Sequence, residues 1–178
     1  MAILKVSRMG HPVLRQQAKA LTPGQLRQPA TQQLLDDMVE TMVDYEGVGL
    51  AAPQVYQSLR LIVLGYPDAD PRNPDDIPLT LCINPEWVSL SDEKELGWEG
   101  CLSIPDLRGQ VPRSREVVVR ALDRRGKPFT LKAGGFMARI LQHEIDHLDG
   151  VLFPDRMENL GTLSFLEEYY RYWQKSED

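Results

Sequence analysis

The chain has 178 residues, of which 42% are apolar and 26% charged, with a formal net charge of -6. That length suits a single core, and an acidic balance without basic clustering excludes an extended nucleic-acid surface, so no DNA binding is expected. No run approaches the roughly 18 apolar residues of a membrane span, no apolar leader follows Met1, and two cysteines in such a chain read as reduced thiols of a cytoplasmic protein.

The first strong periodicity runs from Thr31 to Tyr45, where Leu34, Leu35, Met38, Val39, Met42 and Val43 recur at helical spacings. It predicts a helix entered after Pro29, capped by Thr31 and stopped at Gly47. Gly47 to Gln54 reads GVGLAAPQ, a small-residue exit from the helix that lets backbone approach a ligand. Leu61 to Leu64 predicts a short buried strand. Tyr66 to Pro78 holds four prolines and four aspartates and reads as a surface loop. Leu79, Leu81 and Ile83 alternate with polar or small residues, predicting a strand that Asn84-Pro85 ends. Further strands are expected near Trp87 to Leu90, Leu96 to Glu99, Glu116 to Leu122 and Pro128 to Leu131, the last two joined by a turn at Asp123 to Lys127. Gly135 to Asp149 predicts a second long helix closed by Gly150, and Leu163 to Trp173 a shorter third. The order predicts an α+β fold, antiparallel strands wrapped around the second long helix. One domain over residues 1–178 is expected, with a helical tail from about residue 156.

The second long helix carries His143-Glu144-Ile145-Asp146-His147. Two histidines four apart sit one above the other and can face one ion, with the glutamate placed to work on water bound there. On the helical wheel Phe136, Met137, Ile140, Leu141, Ile145 and Leu148 fill one half, and Arg139, Gln142 and Asp146 the other. The histidines lie at the margin and Glu144 well inside the apolar half. Burying these groups costs several kcal/mol unless a divalent cation compensates. A catalytic ion needs about three protein ligands and an open position, whereas a purely structural ion normally has four. Phe153 stands where HExxHxxGxxH proteases place their last histidine, which excludes that family. Glu167 and Glu168 lie at the distance another protease class uses, but in a charged segment. Cys101, in Glu99-Gly100-Cys101-Leu102-Ser103 where a strand ends, is the better third ligand.

Gly47 to Gln54, Glu99 to Ser103 and His143 to His147 resemble, in order, the three motifs of the peptide deformylases, GxGLAAxQ, EGCLS and HExxH. The likeness extends through Asn84-Pro85, Pro105 to Arg113 and Leu148 to Gly150. The resemblance implies a metal-dependent hydrolase that removes the N-formyl group from the methionine of new polypeptides and releases formate. It implies Cys101, His143 and His147 as metal ligands, Glu144 as general base and acid, and Gln54 with the Leu102 backbone N–H as oxyanion donors. Gly49, Leu50, Ile140 and Arg108 are the implied substrate contacts, Arg108 beyond the methionine. Fe²⁺ is the ion the family commonly uses, and Zn²⁺, Ni²⁺ or Co²⁺ also suit one thiolate and two imidazoles. The implied partners are N-formylmethionyl nascent peptides. Some deformylases dock on the ribosome through a basic C-terminal helix. The aromatic segment Leu163 to Trp173 and the acidic Glu177-Asp178 argue against that here, leaving packing on the body or a homodimer contact for the aromatic residues. The Tyr66 to Pro78 loop reads as an addition to the family core.

Overall fold

A computed structural model describes residues 2–70, 72–73 and 76–174. In chain order the elements are α1 (Pro23–Leu26), α2 (Pro29–Asp44), β1 (Gly49–Ala51), β2 (Leu61–Leu64), β3 (Thr80–Leu90), β4 (Lys94–Cys101), β5 (Ile104–Ser114), β6 (Glu116–Leu122), β7 (Pro128–Gly134), α3 (Gly135–Leu148), β8 (Ser164–Phe165) and α4 (Leu166–Tyr172). One antiparallel sheet has the order β1-β2-β3-β6-β7, and a smaller one the order β4-β5-β8.

The apolar run Leu61 to Leu64 explains how the layers stack. Side chains alternate across a strand, so a strand apolar at every position must be covered on both faces. Ile62 and Leu64 join the core beneath α3, together with Val117, Val119, Leu141 and Ile145. Leu61 and Val63 join the core beneath α2, together with Leu35, Met38 and Met42. A third cluster of Val13, Leu14, Val111 and Phe153 lies against β5. The α+β expectation, with strands around the motif helix, therefore holds: the large sheet covers one side of α3, and β4 with β5 covers the other.

Several boundaries differ from the sequence reading. α2 starts at Pro29, whose ring suits a first helical turn, and the Thr31 hydroxyl donates to the Gln25 carbonyl at 2.8 Å instead of capping the helix. Asn84-Pro85 does not end a strand. β3 continues through it with a register shift, Asn84 adopting φ 51° while its side-chain amide exchanges two 2.8 Å bonds with the Leu21 backbone. Such a bulge turns the strand without ending it. β5 was not expected at all, because Pro105, Gly109 and Pro112 mask it; it holds through the hairpin with β4. The expected third helix, Leu163 to Trp173, divides into β8 and α4, and a 3-10 turn at Leu160–Thr162 precedes it. Within the Tyr66 to Pro78 loop, Pro71, Pro74 and Asp75 lie outside the described residues, and a bridge between Tyr66 and Pro78 closes its ends. Among the described residues no helix is long and apolar enough to cross a membrane.

The polar half of α3 is not a solvated face. Gln142 and Asp146 are buried under β5, Gln142 exchanging bonds of 3.0 and 2.9 Å with the Ser114 backbone. Gly150 ends the helix at φ 75°, where a Cβ would come within 2.8 Å of the Arg15 carbonyl. A glycine is required there for both reasons.

Candidate active site

Consecutive turns of α3 carry His143 and His147, and β4 ends on Cys101. Where they meet, His147 Nε2 lies 3.2 Å from His143 Nε2 and 3.2 Å from Cys101 Sγ. All three donor atoms fall within 4.8 Å of one another. A tetrahedral ion with bonds of roughly 2.0–2.3 Å holds its donors roughly 3.3–3.5 Å apart, so this group fits a metal. It fits electrostatically too. Burial, helped by charge on His143, pushes the His147 imidazolium well down. Burial also opposes charge on His143, yet hydrogen bonds with Cys101 and Glu99 outweigh it and raise that group. His147 is thereby held neutral, with ring nitrogens free to ligate, while the anionic neighbours of His143 favour positive charge beside it.

Behind the cluster stands Glu99, a motif residue to which the sequence reading gave no role. Its carboxylate accepts from His143 Nδ1 at 2.9 Å, from Arg113 at 2.8 and 3.1 Å, and from Arg139 at 3.0 Å. Burial alone would raise its pKa, but the bonds from His143 and Arg113 prevail and hold it at about 2. A carboxylate that only accepts keeps the proton on Nδ1 and leaves the Nε2 lone pair for an ion. Arg113 donates also to Asp146 at 2.6 Å, which Arg156 holds from outside. The only hint of this in the sequence is a carboxylate two positions before Cys101.

Glu144 is buried, and burial raises its carboxyl to about 7. Its Oε2 has no hydrogen-bond partner. Gly49 makes the space: a Cβ there would come within 2.8 Å of the Glu144 carboxyl carbon. Gln54, which in isolation reads as a surface residue, is 1% exposed. Its Oε1 accepts from Ala51 N at 2.8 Å, which aims Nε2 at Cys101 Sγ (3.5 Å) and Ser103 Oγ (3.3 Å). Leu102 follows Cys101 in the turn between β4 and β5.

Gln54, Glu99, Cys101, His143 and Glu144 open onto one cavity of about 680 Å³, which Gly49, Leu102, Arg108 and Ile140 also line. Leu50 is the exception among the expected contacts. Its side chain is fully buried with Leu35 and Met38, while its neighbour Gly49, and Val48 ahead of the strand, line the cavity instead. Strand alternation sends adjacent residues to opposite faces. Glu167 and Glu168 pair with Arg171 on α4, away from the ligand group, and Phe153 stacks on His143 with ring centroids 6.4 Å apart. The third histidine, His11, accepts from Val13 N and caps a short turn.

The family model described as Polypeptide deformylase matches residues 3–162. Peptide deformylase 2 of Pseudomonas putida is 41% identical over 178 residues, 99% of each chain. The Met-Ala-Ser-bound crystal structure of class I type b peptide deformylase from Acinetobacter baumannii has a TM-score of 0.81 at 40% identity, covering 88% of this chain and 100% of that one. The Thermotoga maritima peptide deformylase structure has a TM-score of 0.79 at 36% identity, covering 89% and 100%.

Proposed function

The chain belongs to the polypeptide deformylase family of metal-dependent hydrolases, and from there we propose that it removes the formyl group from N-formylmethionyl nascent peptides in the cytoplasm, releasing formate. The observation that carries this reading is one thiolate and two imidazole nitrogens converging beside a buried, unpartnered carboxylate on a peptide-sized cavity. Cys101, His143 and His147 would hold the ion. Fe²⁺ suits this set, as do Zn²⁺, Ni²⁺ and Co²⁺. When bound, the ion supplies a water acidic enough to attack at neutral pH and a positive charge for the formyl oxygen.

The chain's own residues do the rest. Glu144, with a pKa lifted toward neutrality, accepts the proton that water loses as its oxygen bonds to the formyl carbon. It hands that proton to the methionine nitrogen as the C–N bond breaks, so formate and a free amine leave. Negative charge growing on the formyl oxygen is met by Gln54 Nε2 and the Leu102 N–H. The bond from Ala51 N keeps Gln54 from turning its oxygen to the substrate. Ile140 and Val48 give the methionine side chain an apolar wall, Gly49 offers backbone beside Glu144, and Arg108 meets the peptide beyond methionine.

The test is formate release from formyl-Met-Ala by protein purified without air. Wild type should release formate, and Glu144→Gln should lose roughly 10²–10⁴-fold in kcat while keeping its metal. Absence of release by metal-loaded wild type would sink the reading. Cys101→Ser should lose tight metal binding; unchanged metal content would return the protease reading.

A further inference from the structure

The family model stops at residue 162, yet the cavity wall does not. Leu166 and Tyr169 of α4 line the same cavity as Glu144 and the ligand group. The segment is fixed in place by backbone and side chain together. β8 pairs with β5 in the register Leu107↔Phe165 and Arg108↔Ser164, so the tail is stitched to the strand that carries Arg108. Tyr169 and Trp173 then pack on Trp98 of β4, with centroids 4.8 and 5.5 Å away.

Distance along β4 tells which part of a substrate lies there. Trp98 lies two residues before Gly100 on β4, ahead of the register shift between Glu99 and Cys101. Gly100 is covered by the Arg108 guanidinium, which a Cβ at that position would strike. From Cys101 back to Trp98 is about 10 Å at the rise of a strand, the length of about three residues of extended peptide. A formylated peptide leaving the ligand group along this edge passes Arg108 first and the Trp98–Tyr169 pair next. Both aromatic residues are half-buried and line the cavity.

We propose that the C-terminal segment completes the substrate channel: Tyr169 and Leu166, seated on Trp98, form an apolar subsite for the side chain of the third residue of the peptide. This rests on the deformylase reading and deepens it. The subsite sets preference and takes no part in bond breaking, so its signature is selective.

The experiment compares kcat/KM for formyl-Met-Ala-Phe with that for formyl-Met-Ala in the full chain. Tyr169→Ala should lower the ratio about five- to tenfold, mainly through KM for the longer peptide, the range expected when one aromatic contact is removed. Tyr169→Phe should restore it, since the ring rather than the hydroxyl makes the contact. A Tyr169→Ala protein that loses activity on both peptides equally, or on neither, overturns the subsite while leaving deformylation standing. Wild type that releases formate from neither peptide removes the reading and the subsite together.

Discussion

The two faces of α3 are both buried, but by different physics. Toward the large sheet, Leu141, Ile145 and Leu148 sit among Ile62, Cys82 and Val119, held by contacts that have no direction. Toward β4 and β5, Gln142, His143 and Asp146 meet Ser114, Glu99 and Arg113 through hydrogen bonds and ion pairs of definite geometry, with Phe153 stacked on His143. The first face stabilises the helix and tolerates small changes of shape. The second orients His143, and each member is costly to bury without its partner. The contrast teaches that stability and the orientation of His143 are supplied from opposite sides of one helix.

Arg113→Ala should break it most severely. The change leaves Glu99 and Asp146 buried with fewer donors, and urea denaturation should show a loss of about 3 kcal/mol. Glu99→Gln should keep the fold but weaken metal binding about 10- to 100-fold in a chelator competition, because the bond that sets the His143 tautomer is weakened. Ile145→Val on the opposite face should cost only about 1 kcal/mol and leave metal affinity alone. An Ile145→Val protein with weakened metal binding would show that the two faces are not separate in function.

Smaller still is a pair of opposite pH responses. Glu99 is depressed in the fold to about 2, so its stabilisation is present above the ordinary 4.5 and lost as pH falls toward 2. Cys82, on the apolar side, is pushed up by burial to about 12, so its contribution is full below the ordinary 9.0 and lost as pH rises toward 12. Melting of the metal-free protein across pH should show Cys82→Ala easing the alkaline limb and Glu99→Gln easing the acid limb; the same limb moved by both would contradict the assignment.

Much of this molecule could be read before any coordinates, and the reasons are local. A histidine four residues from another shares its helical face whatever surrounds it. A strand apolar at every position, Leu61 to Leu64, must be covered twice. The antiparallel β6 and β7 with their Asp123 to Lys127 turn follow from period and turn chemistry. What failed were elements whose pattern is broken locally and mended at a distance. β5 carries two prolines and stands because β4 lies beside it. The Asn84 bulge depends on the Leu21 backbone.

The amino-acid order by itself determined which residue types could chelate an ion, through the HExxH spacing and a cysteine at a strand end. Only the tertiary structure decided that Cys101 reaches those histidines and that Glu99 aligns one of them. It alone buries the polar side of α3, turns Leu50 away from the cavity, and brings Tyr169 back to line it. Helical and strand periods are properties of a few bonded neighbours. Meetings between distant segments depend on the path of the whole chain and on which partner satisfies each buried polar group, which no short-range pattern carries.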